Sequence, residues 1–64
     1  MRHTEFWARM TEAMGEDFGR HWANTHVISA LGGQTPAEAL QAGDAPKQVW
    51  AVVCRTLELP ESLR

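Results

Sequence analysis

The chain has one cysteine, Cys54, and no tyrosine. A single thiol excludes an intramolecular disulfide, whereas small secreted domains usually need several. The composition therefore points to a reducing, cytoplasmic setting. Long apolar runs are missing too. The longest, Val49 to Cys54, falls far short of the roughly 20 residues that cross a bilayer, so no membrane partner is expected. The stretch Met1 to Glu5 carries an acidic residue and leads straight into an amphipathic pattern, without the apolar core of a signal peptide. Positive charge is not in excess either. Six Lys+Arg stand against eight Asp+Glu, a net charge of −2, which gives no general field to draw in nucleic acid or anionic lipid. No Cys-x-x-Cys pair, His-x-x-x-His pair or P-loop lysine is present. Together these absences read as an intact cytosolic chain, one domain over residues 1–64, with no repeats and no linker.

What the chain does have is aromatic bulk. A protein this short buries only about 60% of the surface its unfolded form exposes, so its core must come from large side chains. Trp7, Trp22, Trp50, Phe6 and Phe18 are the expected source.

The strongest local signal is Leu31 to Leu40. Gly32 and Gly33 can take the left-handed angles that close a helix. Thr35 then caps a new helix, Pro36 takes its first position and Glu38 falls at N3, a complete capping box. This predicts a helix from Pro36 to Gln41 or Ala42, with Gly43 just beyond its end. Upstream, Thr4 reads as an N-cap, and Phe6, Trp7, Met10, Ala13 and Met14 form one apolar stripe ended by Gly15. Asp17 reads as the cap of a second helix. Phe18 and Trp22 share a face of it, whereas Val27 and Leu31 would lie opposite them on an unbroken helix. One straight helix cannot bury both pairs, and Asn24-Thr25 makes a poor helix interior. A kink or restart is expected there, with Thr25 capping a short helix from His26 to Leu31. Pro46 opens the last helix. Its run Val49 to Cys54 would also suit a buried strand, but no other segment reads as a partner strand. Val49, Trp50, Val53 and Leu57 then form the core stripe, with Val52 off it. Leu59 and Leu63 pin a proline-stopped tail. The predicted fold class is all-α, a compact bundle of four to five short helices.

Several segments carry a resemblance in order and spacing. They are Met1-Arg2 with Thr4-Glu5-Phe6-Trp7, Trp22-Ala23, His26-Val27, Leu31-Gly32-Gly33 with Thr35, Ala39-Leu40, Pro46-Lys47 with Val49-Trp50, Val53-Cys54 and Leu59-Pro60. With these the chain resembles the actinobacterial domain-of-unknown-function family three-zero-four-six over nearly its whole length. The resemblance implies a small single-domain protein with no settled activity, whose gene often lies near those for the RecA recombinase and its regulator RecX. It implies a DNA-repair neighbourhood and supplies no catalytic residues. A shorter stretch, Leu31 to Val53, is similar to the helical toxin-binding domain of some antitoxins. The shared element reads as a stable helix-turn-helix corner.

Four constellations could carry chemistry. The amides of Gly32 to Thr35 precede a helix N-terminus and could hold an anion, but Thr35 and Glu38 are placed to satisfy them first. His21, His26 and Cys54 could be three ligands of a soft metal, yet five residues separate the histidines and point them about 140° apart on a helix. Cys54 among apolar neighbours is a small hydrophobe with a raised thiol pKa, not a nucleophile. Some of Arg2, Arg9, Arg20, Lys47, Arg55 and Arg64 could converge on one basic face, although acidic residues are interleaved with them. The helix Pro36 to Ala42 offers no Arg or Lys, which argues against a DNA-reading helix-turn-helix. Finally, the apolar side chains are many for so small a body, and a surplus patch marks a partner site. Trp7, Val52 and Leu63 are the expected contacts.

The function read from this is a non-enzymatic protein-interaction or regulatory module linked to DNA repair. Its partner is an unidentified protein or a second copy of the chain. The alternative is a nucleic-acid-associated accessory protein that binds through the clustered arginines. No base, nucleophile and orienter set is visible, so no enzyme, cofactor or metal is expected.

Overall fold

Glycine and proline punctuate the chain into helices. In the computed structural model, which describes residues 1–64, these are α1 (His3–Met14), α2 (Glu16–Thr25), α3 (Pro36–Gln41) and α4 (Pro46–Leu57). Short 3-10 turns cover Ser29–Leu31 and Glu61–Leu63. The only sheet-like pairing is one isolated bridge between Ile28 and Gln34. The all-α bundle expected from the sequence is the fold.

A single residue, Gly15, joins α1 to α2. Its φ of 86° and ψ of 156° lie in a region essentially restricted to glycine. Its N–H closes α1 on the Thr11 carbonyl at 2.8 Å, and its carbonyl opens α2 by accepting from the Gly19 N–H at 2.9 Å. Gly15 therefore takes the cap position expected of Asp17, which lies in the first turn instead. The start of α1 is also earlier than Thr4. Arg2 holds the cap position, because the Glu5 carboxylate at N3 accepts from its N–H at 3.3 Å.

The expected break at Asn24-Thr25 is present, but the chain does not restart as a helix. Asn24 Nδ2 donates to the Arg20 carbonyl and Thr25 Oγ1 to the His21 carbonyl, both at 2.7 Å. Both side chains bond back to the carbonyl four residues earlier, so Thr25 caps nothing ahead of it. His26 leaves the helix extended, with φ −89° and ψ 107°. Ile28 then pairs with Gln34, its N–H donating to the Gln34 carbonyl at 3.0 Å. The short 3-10 turn stands where the His26 to Leu31 helix was expected.

The Leu31 to Leu40 reading holds in detail. Gly32 and Gly33 have φ of 74° and 79°. The Glu38 N–H donates to Thr35 Oγ1 at 3.1 Å, and the Thr35 N–H donates to Glu38 Oε1 at 2.9 Å. At the far end of α3 the Gly43 N–H donates to the Leu40 carbonyl and the Asp44 N–H to the Ala39 carbonyl. That pair is a Schellman closure, and it leaves Pro46 to open α4.

The core forms around α4, which supplies Val49, Trp50, Val52, Val53 and Cys54 to the 13 buried hydrophobic residues. At about 100° per residue these five cover more than half of the helix circumference. Val52 is therefore in the core, at 9% exposure, and not off it as the stripe of Val49, Trp50, Val53 and Leu57 suggests. Phe18 departs in the opposite direction. Expected in the core, it is 59% exposed, and Val27 beside the break is 60% exposed. The reason is that α2 buries Gly19 and Ala23. These small residues, one turn apart, let α2 approach α1 closely and turn Phe18 outward.

At the end of α4 a non-glycine residue, Glu58, is left-handed, with φ 52° and ψ 48°. The Leu59 N–H reaches back to the Cys54 carbonyl at 3.0 Å across it. A side chain in this conformation costs about 1 kcal/mol. Glu58→Gly should therefore raise the thermal midpoint by a few degrees, about 4–8 °C per kcal/mol in a domain of this size. An unchanged or lower midpoint would mean that the strain is relieved elsewhere.

Candidate functional site

Because α4 is wrapped on one side only, its remaining arc lies open. Lys47, Ala51 and Arg55 occupy that arc and are exposed. They line the larger of two grooves on the molecule, about 1010 Å³, together with Glu5 and Arg9 of α1, Asp44, and Arg64 of the tail. Leu31, Val49, Trp50 and Val52 back it from the core, each 9% exposed or less. Four cations meet two carboxylates in this groove, on a chain whose overall charge is −2. Local and global charge thus have opposite signs.

The tail closes one side. Arg9 Nη1 donates to the Arg64 carbonyl at 2.9 Å, and Trp50 Nε1 donates to the same oxygen at 3.4 Å. Arg64 Nε in turn donates to the Leu59 carbonyl at 2.8 Å. These contacts and Leu63, half-buried against the core, hold the last residues onto α1 and α4.

Of the basic residues singled out in the sequence, Arg9, Lys47, Arg55 and Arg64 come together here. Arg20 does not. It lies over the Trp7 ring at 5.3 Å from the centroid, in the smaller groove lined by Trp7, Asn24, Glu38 and Gln41. Arg2 lines neither groove and is exposed at the start of α1. The place of Arg64 depends on how the tail folds back, which no local pattern encodes.

The apolar contact candidates separate as well. Trp7 is half-buried and meets Phe6 edge-to-face at 5.2 Å. Val52 is buried, and Leu63 is half-buried against the core. The large apolar side chains that are exposed are Met1, Phe18 and Val27.

His21, His26 and Cys54 do not converge. His21 and His26 are exposed, with His26 stacked on Trp22 at 4.8 Å, while Cys54 is buried. No three His, Cys, Asp or Glu side chains gather where they could hold a metal ion. At the turn before α3, the Thr35–Glu38 capping box occupies the amides that an anion would need.

Burial pushes the Cys54 thiol above its ordinary value, outweighing the opposing charges of Arg64 and Arg9. The neutral thiol is favoured in the fold. The stability it contributes is present below the ordinary thiol value of 9.0 and is lost as pH rises through the raised one. Unfolding free energy should therefore decline above about pH 9, and more steeply than in Cys54→Ser. A thiol reagent should also modify Cys54 more slowly in the folded chain than in urea. Equal rates would show that the thiol is open to solvent.

No helix is long and apolar enough to cross a membrane. No curated protein and no solved structure matches the chain. The capped turn before α3, the tryptophan-bearing α4 and the residues that line the groove all fall within residues 1–62, apart from Arg64. Those residues match the family model described as "Protein of unknown function (DUF3046)", and the chain belongs to that family.

Proposed function

We propose that the protein is a non-enzymatic interaction module that docks a partner protein in the groove between α1, α4 and the tail. The observation that carries this is the reversal of charge. A net-negative chain gathers Arg9, Lys47, Arg55 and Arg64 along one groove. Arginine is among the usual anchors of protein interfaces. A cytoplasmic setting is supported by the single, buried cysteine. A regulatory role linked to DNA repair is supported by the genomic neighbourhood that the family resemblance implies.

A second reading, docking of nucleic acid through the same arginines, draws support from the convergence of Arg9, Lys47 and Arg55. Glu5 and Asp44 in the same lining oppose it, as does α3, which carries no Arg or Lys.

The test is affinity capture with the tagged chain and with its Ala51→Glu variant, at low and high salt, with and without nuclease. The substitution blocks the middle of the open arc and sets a carboxylate one turn from both Lys47 and Arg55, so the helix should keep its stability. Partners that survive nuclease and are lost in Ala51→Glu support the interaction module. Partners lost on nuclease treatment and steeply with salt favour the nucleic-acid reading. Capture that is the same with both chains sinks the groove as the site.

A further inference from the structure

We propose that the groove accepts an acidic amphipathic segment of a partner protein. Two carboxylates of that segment, about two helical turns apart, pair with Lys47 and Arg55, and an apolar side chain between them seats on Ala51. This occupant presupposes the docking role proposed above and names its chemistry.

Lys47, Ala51 and Arg55 succeed one another at four-residue steps along α4, so they form one ridge. The two cations stand about 12 Å apart along the axis, at 1.5 Å per residue. A helix lying along this ridge repeats its own side chains at the same interval, so acids two turns apart meet both cations together. Ala51, with its one methyl group, leaves a saddle between two long side chains. An apolar residue entering there packs on the Ala51 methyl group and the aliphatic stems of Lys47 and Arg55.

The cations are also unspent. The arginines that donate side-chain hydrogen bonds are Arg9 and Arg64, and both bond main-chain carbonyls. Of the two carboxylates in the lining, Glu5 is engaged by the Arg2 N–H. Asp44 is left as the opposing charge. A polyanion with a charge every few ångströms would have to pass these carboxylates, whereas a peptide with discrete acids can place apolar or neutral residues beside them. Spaced attraction and local repulsion together select for a patterned acidic peptide.

The test is titration of the isotope-labelled full chain, monitored by backbone amide shifts. The first probe is a synthetic helical peptide with glutamates one turn before and one turn after a central leucine. The second is a peptide of the same composition with the two glutamates adjacent. The third is a DNA oligonucleotide, single-stranded and as a duplex. The matched peptide should give saturable shifts confined to α4, the Arg9 turn of α1 and the tail. The adjacent-acid peptide should bind more weakly. Arg55→Glu should weaken the matched peptide about tenfold, because an attraction is replaced by a repulsion of like size. A peptide with lysine in place of the facing glutamate should restore binding to that variant.

Lys47→Glu repeats the test at the other end, and its new carboxylate suits the first turn of a helix, so the fold is retained there. Helical circular dichroism checks both variants. Equal binding of matched and adjacent-acid peptides overturns the proposal, and so does failure of both to saturate. Tighter binding of DNA than of the matched peptide, lost in Arg55→Glu, overturns it in favour of nucleic acid. If the peptides fail while captured partners are still lost in Ala51→Glu, the docking role stands and this occupant is wrong.

Discussion

Phe6→Ala is expected to unfold most of the protein at room temperature. Phe6 is 0% exposed. It meets Trp7 edge-to-face at 5.2 Å and Trp50 edge-to-face at 6.0 Å, with the planes close to perpendicular in both pairs. Its ring thus ties α1 to the helix around which the core is built. Removing a buried phenylalanine costs about 3–5 kcal/mol, from the lost transfer energy and the cavity left behind. The two edge-to-face pairs place Phe6 toward the upper end of that range. A domain of this length has about 3–10 kcal/mol in total. The loss is therefore comparable with the whole stability. In urea, monitored by tryptophan fluorescence, Phe6→Ala should show no folded baseline or a midpoint close to zero denaturant. Phe6→Leu, which keeps most of the volume, should retain a cooperative transition. A Phe6→Ala loss of less than about 1 kcal/mol would show that the neighbours collapse into the space, contrary to a closely packed core.

How much of this is legible in the sequence differs along the chain, and the difference is physical. Gly32 to Glu38 is readable because everything it needs is local. Two glycines, a capping threonine, a proline and a glutamate satisfy each other within one turn, and the structure repeats the reading bond for bond. The break after α2 is readable because Asn24 and Thr25 act on the carbonyls just behind them. The segment beyond the break is not. Ile28 finds its partner at Gln34, and that pairing depends on the Gly32-Gly33 turn between them. Val52 cannot be placed from a single stripe, because how many elements surround α4 is a property of the whole fold. The groove is half legible. Arg9, Lys47 and Arg55 are visible as basic residues, but interleaved acids hide the fact that these three share a wall while Arg2 and Arg20 lie elsewhere. Arg64 enters only when the tail has docked.

Phe18 departs from its expected place for a reason that leads to the second large effect, at Gly19. Hydrophobic periodicity weighs phenylalanine heavily and glycine hardly at all, so it draws the stripe of α2 through Phe18 and Trp22. The buried line runs instead through Gly19 and Ala23. A Cβ on Gly19 would stand 3.3 Å from the Met10 carbonyl oxygen and 3.5 Å from its carbon. Both atoms belong to the backbone of α1, so they cannot step aside as a side-chain tip can. Gly19→Leu should force the two helices apart, at the cost of about 1–3 kcal/mol that overpacking carries. Such a loss should lower the thermal midpoint by roughly 4–8 °C for each kcal/mol. It should also shift Arg9, one residue from Met10, and so weaken any ligand of the groove while Lys47 and Arg55 stay in place. Gly19→Ala sets two terms against each other. Alanine gains up to about 1 kcal/mol as a helix former, and the contact at 3.3 Å opposes it. Because Gly15 joins the helices through one constrained residue, they have little freedom to slide apart, and the alanine variant should realise little of that gain. Unfolding curves for the two variants decide the matter. If Gly19→Ala gains the full helix-propensity increment, the seam between α1 and α2 has slack, and close approach is not what turns Phe18 toward solvent.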